Sequence, residues 1–157
     1  MKDREVLQML IDRMLIADVV NKIATLTDSQ QWTELVDCCA LEVEADFSSS
    51  ANSQVEILNA SELVQRWRNV LSSFKSTQHM LVNDSLEFYG ERATCTAHFQ
   101  TSRHLPNDKG ASVASASGFY YFELVKSDNS WRVCRIKMTA LQSQINQYRN
   151  TAAAMSS

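Results

Sequence analysis

The sequence predicts an α+β domain with a cone-shaped (α+β barrel) fold, in which N-terminal helices pack in a strongly curved, mostly antiparallel sheet. Apolar residues recur at intervals of three and four in the first half of the chain. From about residue 75 to residue 139, β-branched and aromatic residues instead alternate with polar ones. Short turn-forming segments separate these alternating stretches, which favours antiparallel neighbours. A sheet curled around a helix leaves a concave space of the kind in which small-molecule sites commonly lie.

Three helices are predicted, and the first is a long one over residues 4–26. Its apolar stripe consists of Leu7, Leu10, Ile11, Met14, Ala17, Val20, Ile23 and Ala24. The pattern then breaks, and Asp28 and Gln31 have the spacing of a capping box, which predicts that a short second helix begins there. Asn59 and Glu62 have the same spacing ahead of a third apolar stripe, made of Leu63, Trp67, Val70, Leu71 and Phe74.

Strands are predicted on both sides of the third helix. Alternation over residues 43–47 predicts a half-buried strand, and a loop rich in Ser and Asn follows to about residue 59. In the second half we expect long strands at residues 78–89, 93–103, 112–125 and 131–139. The chain beyond residue 140 carries only a weakly helical pattern. We therefore predict one domain over residues 1–142 and a partly disordered tail over residues 143–157.

Composition narrows the classes of function. The chain has 157 residues, enough for one buried core, and its net charge of −3 comes without a basic stripe, which argues against a nucleic-acid partner. The N-terminus mixes both charge signs into an apolar pattern, so we expect an amphipathic helix rather than a signal peptide or a membrane span. The cysteines Cys38, Cys39, Cys95 and Cys134 lack paired C-x-x-C spacing, which favours free thiols in a reducing compartment such as the cytoplasm.

A metal site is not expected from the three histidines. His98 and His104 lie on one predicted strand, and their spacing puts the Cα atoms about 20 Å apart, too far to share an ion. The sequence also lacks a glycine-rich phosphate loop, a nucleophile elbow and a zincin helix. We therefore expect neither a cofactor nor a metal.

Several motifs in their order along the chain resemble the SnoaL-like, nuclear-transport-factor-2-like superfamily, with the scytalone-dehydratase-like group as the nearest branch. They are Leu-Thr-Asp28-Ser-x-x-Trp32-x-x-Leu35, Val-x-Ala-Asp46-Phe, Thr77-Gln78-His79-x-x-x-Asn83 and Trp131-Arg-Val-x-x-Ile136. The resemblance covers about residues 5–142 and implies the cone fold. It also implies that Asp28, His79 and His98 match an aspartate and two histidines that eliminate water in that branch. The tyrosines of the branch are not matched, because Thr27 and Phe47 stand in their places.

These three residues are the candidate catalytic groups. His79 can act as general base and then acid, since an imidazole titrates near neutral pH. His98 would be its partner, although both faces of its strand are partly polar and alternation does not decide which face lines the cone. Asp28 is either a helix N-cap or the carboxylate that orients a histidine tautomer. Candidate substrate-binding residues are Asn83, Tyr120, Trp32, Trp67, Phe47 and Phe119.

The predicted function is that of a small-molecule pocket protein. The first hypothesis is a cofactor-independent lyase (dehydratase) or isomerase that uses His/Asp acid–base chemistry on a small, largely apolar substrate. The alternatives are a non-catalytic ligand-binding or assembly domain and a structural subunit beside a larger oxygenase. We also expect a homodimer through the outer faces of two sheets, with Tyr121 and Val133 at the interface, because the last two strands carry more apolar side chains than one face can bury.

Overall fold

The computed structural model describes residues 2–49, 54–105 and 112–147. In chain order, the described elements are α1 (Asp3–Asp28), α2 (Trp32–Asp37), β1 (Cys39–Asp46), β2 (Glu56–Asn59), α3 (Ala60–Leu71), β3 (Ser76–Tyr89), β4 (Arg92–Leu105), β5 (Ser112–Ser127) and β6 (Ser130–Gln147). The strands form one sheet in the order β2-β1-β6-β5-β4-β3. Every neighbouring pair is antiparallel except β1 and β6. The predicted α+β cone with a strongly curved, mostly antiparallel sheet is confirmed.

Irregular pairing between the long strands accounts for the curvature of the sheet. The register of β3 on β4 shifts between Asn83 and Ser85, and that of β5 on β6 shifts at Gly118 and again at Leu124. Such bulges bend a strand and increase its twist. Gly118 is required at its bulge, because a Cβ there would lie 2.0 Å from the backbone oxygen of Thr139.

The core fills the concave side of the sheet. α1 buries Asp12, Ile16, Val20, Ile23, Ala24 and Thr27, which recur at helical spacing. These residues meet the large buried side chains of the sheet and of the other helices, which include Leu35, Val43, Leu63, Phe122, Leu124 and Ile136. The predicted apolar stripe of α1 is wrong in its first turns, since Leu7, Leu10 and Met14 are exposed. The first turns of α1 extend beyond the edge of the core, and only its later turns contribute buried side chains to it.

A largely buried ion pair ties the middle of α1 to the hairpin of β5 and β6. The Asp12 carboxylate lies 2.9 Å from Nζ of Lys126 and accepts a 2.9 Å hydrogen bond from the indole N–H of Trp131. Burial raises the pKa of Asp12, but hydrogen bonds from Trp131, Lys126 and Gln8 and the charge of Lys126 outweigh that effect and hold it below its ordinary value.

Four details of the predicted fold are wrong. The expected loop before α3 contains β2, because residues 56–59 pair with β1. β6 continues to Gln147, so the weakly helical prediction is wrong for residues 140–147, where pairing with β5 overrides local propensity. Residues 148–157 lie outside the described part of the chain. Val133 is buried in the core rather than on the outer face, since the bulge beside Leu124 reverses the alternation. Asp28 is the last residue of α1 and does not cap α2, whose N-cap residue is Gln31.

The cap predicted for the third helix is present, since the Asn59 side chain accepts a 2.8 Å hydrogen bond from the Glu62 backbone N–H. Among the described residues, no helix has the length and apolar character needed to cross a membrane.

Candidate active site

The concave side of the sheet encloses a cavity of about 550 Å³. Its walls come from the last turns of α1, from α3 and from the inward-facing residues of the sheet. Most of the lining is apolar, with Phe47, Trp67, Phe99 and Phe122 among the aromatic contributors. A cavity of this size and character accommodates a small organic molecule.

The end of α1 and the beginning of β3 meet at the cavity wall and join Asp28 to His79. One carboxylate oxygen of Asp28 lies 2.6 Å from Nδ1 of His79 and accepts a 3.0 Å hydrogen bond from the Thr77 hydroxyl. The other oxygen accepts a 2.7 Å hydrogen bond from the backbone N–H of His79. Both side chains are largely shielded from solvent, with 11% of His79 and 23% of Asp28 exposed.

The three hydrogen bonds determine the tautomer of the imidazole. An ionised carboxylate only accepts hydrogen bonds, so Nδ1 of His79 carries a proton and donates it to Asp28. In the neutral ring Nε2 is then the basic nitrogen, and His79 lines the cavity. When Nε2 accepts a proton, the adjacent carboxylate stabilises the resulting imidazolium. This arrangement can perform general acid–base chemistry on a molecule held in the cavity.

His98 does not join this pair, which corrects the prediction that it is the partner of His79. In β4 the buried residues Ala97 and Phe99 flank it, and its own side chain is exposed. Because alternate residues of a strand point to opposite faces, His98 lies on the outer face of the sheet. There its ring packs on that of Phe119, with centroids 4.3 Å apart. Phe119 is therefore also a residue of the outer face and not of the cavity wall.

The remaining predicted binding residues divide between wall, core and undescribed side chains. Phe47 and Trp67 line the cavity and contact each other edge to face, with ring centroids 6.3 Å apart. Trp32 packs against the core and is not part of the cavity lining. The side chain of Asn83 lies outside the described part of the structure, although its backbone pairs with Ala97.

Tyr120 presents a phenol to the cavity from β5. Its ring contacts Phe99 and Phe122, at centroid distances of 4.7 Å and 5.5 Å. Burial raises the pKa of Tyr120 to about 12, although the nearby charge of Arg103 opposes that shift. The phenol is therefore protonated at neutral pH and can donate a hydrogen bond to a ligand.

Arg103 is a cavity residue that the sequence analysis missed. It lies on β4 two residues after Thr101, which is buried, so both project to the concave side. Strand parity relative to Phe99 could have indicated this position, but the parity of β4 was itself uncertain from the sequence.

The described residues were also compared with the requirements of a reactive cysteine and of a metal site. Burial raises the pKa of Cys39 to about 12 and raises those of Cys38 and Cys134 above their ordinary values, which disfavours the reactive thiolate. Within the residues that the structure describes, no group of three His, Cys, Asp or Glu side chains could hold a metal ion.

Comparison with known families gives the relationship of the chain. Residues 8–137 match the sequence model of a family described as "SnoaL-like domain". The chain belongs to the SnoaL-like domain family. This confirms the resemblance seen in the sequence, and no curated protein matches at a significant level.

Solved structures of several other proteins share the fold. The Kfla4162 protein of Kribbella flavida is 23% identical with a TM-score of 0.81, covering 87% of this chain and 95% of its own. A candidate scytalone dehydratase of Novosphingobium aromaticivorans is 15% identical with a TM-score of 0.74, covering 89% and 91%. A hexachlorocyclohexane dehydrochlorinase, LinA-type3 of Novosphingobium barchaimii, is 16% identical with a TM-score of 0.75, covering 89% and 93%. At these identities the likeness establishes the cone fold alone.

Proposed function

We propose that this SnoaL-like protein is a cofactor-independent lyase or isomerase that takes a proton from a carbon atom of a small, largely apolar substrate. The observation that carries the proposal is the 2.6 Å contact between Nδ1 of His79 and Asp28 at the wall of an apolar cavity. That contact leaves Nε2 of His79 as the base. The second histidine of the sequence hypothesis, His98, has no role in it.

The proposed reaction begins with the substrate C–H bond against Nε2 of His79. The base takes the proton, and the electron pair of that bond forms a double bond to the neighbouring carbon. In a lyase reaction the leaving group departs from that neighbour with its bonding pair, and His79 returns the proton to a departing hydroxide, forming water. In an isomerase reaction the neighbouring carbon already carries a double bond, whose π electron pair moves to the far carbon of that bond and takes the proton back from His79 there. Asp28 holds the ring in place throughout and stabilises the imidazolium.

Two further facts support this reading. The structural neighbours include proteins named as a dehydratase and as a dehydrochlorinase, and both names denote eliminations. Phe47, Trp67 and Phe99 give the cavity a largely apolar wall, and a low local dielectric strengthens the electrostatic interactions of a proton-transfer pair.

A substrate-independent probe tests the proposal. Nitrobenzisoxazole is a small planar molecule that opens in one step when a base removes its ring C–H proton, and the product absorbs visible light. We expect the wild-type protein to accelerate this opening above free imidazole at equal concentration, and His79→Gln and Asp28→Asn to remove the acceleration. A wild-type rate no higher than that of His79→Gln would favour the non-catalytic binding domain, in which the same pair only ties α1 to β3.

We also propose a homodimer through the outer face of the sheet. Met80 and Val82 are large apolar residues of β3 that remain 52% and 65% exposed, and they flank the ring pair of His98 and Phe119. Burying this apolar patch against the same patch of a second copy would stabilise a dimer. Light scattering that shows a monomer at micromolar concentration would contradict the dimer.

We also propose that the protein is cytoplasmic. Three of the four cysteines are thiols buried in the core, which suits a reducing compartment. Fractionation of the native cells, followed by detection of the protein, tests this localisation.

A further inference from the structure

Two arginines line the cavity, and their charges are balanced differently. Arg66 forms ion pairs with Glu56 and Glu62. Arg103 has no ion-pair partner among the described residues. Its guanidinium instead packs over the ring of Phe74, 5.5 Å from the centroid. Its Nε atom is buried and has no hydrogen-bond partner within the described part of the chain.

Arg103 stands beside the proposed base. In the register of β3 on β4, Thr77 is opposite Arg103 and His79 is opposite Thr101. Residues on one face that are diagonal across two strands lie about 7–8 Å apart at their Cα atoms, so Arg103 and His79 are diagonal neighbours. Both line the cavity, and a small molecule can therefore contact both.

The hydrogen-bond donors of Arg103 are suited to binding an anion. The carboxylate of Asp28 already accepts three hydrogen bonds, from Thr77 and His79, and does not offset the charge of Arg103 through a contact of its own. A cation in an apolar cavity is costly without a partner, and a guanidinium matches the two oxygens of a carboxylate geometrically. The protonated phenol of Tyr120 lines the same cavity and adds a neutral donor.

We infer that Arg103 is the anion-binding group of the cavity and that the substrate carries a carboxylate seated on it. Calling the bound molecule a substrate rests on the proposed function, but its binding to Arg103 does not depend on turnover. The carboxylate fixes one end of the molecule on Arg103, and its apolar remainder lies among Phe99, Trp67 and the other aromatic walls. A C–H bond close to the carboxylate then faces His79.

Calorimetric titration with matched acids and amides tests this inference. The probes are phenylacetate, phenylpropanoate and phenylbutanoate, each compared with its primary amide, which has the same shape without the charge. We expect the wild-type protein to bind at least one acid about tenfold or more tightly than its amide, as hydrogen bonds to a charged group imply. The comparison within the wild-type protein does not depend on whether any variant folds.

Two variants assign the preference to one arginine. Arg103→Met keeps the apolar stem and should bind acid and amide with equal affinity. Arg66→Met is the matched control, because it removes the other cavity arginine, whose charge is already paired, and should keep the preference for acids. Arg103→Met should also melt no lower than the wild type, since it removes an unpaired charge rather than an ion pair.

Failure of this inference can be told from failure of the proposed function. Equal wild-type affinity for every acid and its amide, no measurable binding of any acid, or a preference that persists in Arg103→Met would overturn the carboxylate site. None of these results bears on the opening of neutral nitrobenzisoxazole. Conversely, an acid preference in a protein that does not open that probe would support Arg103 as the anion site and contradict the base assigned to His79.

Discussion

Replacing Asp28 with Asn is the most direct test of the proposed base, because the change keeps the shape of the side chain and removes its charge. The carboxylate accepts from three donors, namely the His79 backbone N–H, Nδ1–H of His79 and the Thr77 hydroxyl. An amide has one oxygen to accept and one NH2 group that only donates. The three contacts cannot all persist unchanged.

The hydrogen bonds predict which contact changes. If the amide oxygen takes the position facing the His79 backbone N–H, the NH2 group faces Nδ1, and the imidazole proton must move to Nε2. If the amide is flipped, two N–H groups meet, and leaving a shielded donor unsatisfied costs about 1–3 kcal/mol. That difference favours the first orientation about 5-fold to 150-fold. Most of the protein then carries a proton on Nε2, where the proposed base must be free.

The loss of activity follows from the tautomer. In the serine-protease triad the corresponding aspartate-to-asparagine change lowers kcat on the order of 10⁴-fold for the same reason. For a one-step probe with a base and no covalent intermediate, we expect a loss on the order of 10²-fold, because the displaced tautomer alone accounts for about 5-fold to 150-fold and the missing carboxylate charge adds to it. The Thr77 hydroxyl can rotate to accept from the amide, so folding stability should fall by only about 1–2 kcal/mol.

Two measurements check this prediction together. Long-range ¹H–¹⁵N correlation spectra distinguish the two imidazole nitrogens and should show the proton of neutral His79 on Nδ1 in the wild type and on Nε2 in Asp28→Asn. Asp18→Asn, an exposed substitution on the same helix, is the control and should leave both the spectrum and the nitrobenzisoxazole rate unchanged. A wild-type protein with its proton on Nε2, or an Asp28→Asn variant with full activity, would refute the reasoning.

Three predictions concern stability. Asp12→Ala should lower the free energy of unfolding by about 3 kcal/mol in urea melts, because it leaves Lys126 and Trp131 without their buried partner. The Asp12 pKa is lowered in the fold, so the part of this contribution that comes from the ionised carboxylate is complete above about pH 4 and is lost as the pH falls through the folded value. A wild-type-to-variant difference that does not decrease at all on acidification would contradict this prediction. Trp67→Ala should lower the free energy of unfolding by about 2 kcal/mol, less than replacing a fully buried tryptophan, since it enlarges an existing cavity. A loss above about 4 kcal/mol would mean that Trp67 is packed more tightly than the cavity wall implies. Gly118→Ala should cost about 3 kcal/mol or more in the same melts, because its Cβ meets the backbone of β6, and a loss below 1 would mean that the bulge yields easily.

Much of the fold follows from local patterns in the sequence. The period of the apolar residues identifies α1 and α3, and the alternation of β-branched and aromatic residues identifies the four long strands to within a few residues at most boundaries. The errors occur where a distant partner decides the conformation. β2 is a strand because β1 lies beside it, and the last residues of β6 are a strand because β5 extends alongside them. A local propensity contains no information about either partner.

The candidate site was predictable in part for the same reason. Asp28 and His79 are far apart in the chain, and the resemblance to a known family, not their spacing, indicated that they belong together. Alternation left the face of His98 undecided, and the structure places its side chain outside because Ala97 and Phe99 occupy the inner positions. Arg103 lies on that inner face with Phe99, so the same uncertainty concealed it.

The two aspartates of α1 show how one helix separates stability from chemistry. Asp12 and Asp28 are about 24 Å apart along the helix axis, at 1.5 Å per residue. Asp12 contacts the charged and indole N–H donors of the β5–β6 hairpin and fixes the helix against the sheet. Asp28 uses the other end of the same helix to hold the imidazole of His79 against the cavity. Because a helix is rigid, we expect the position of the Asp28 carboxylate against His79 to depend on the Asp12 ion pair as well.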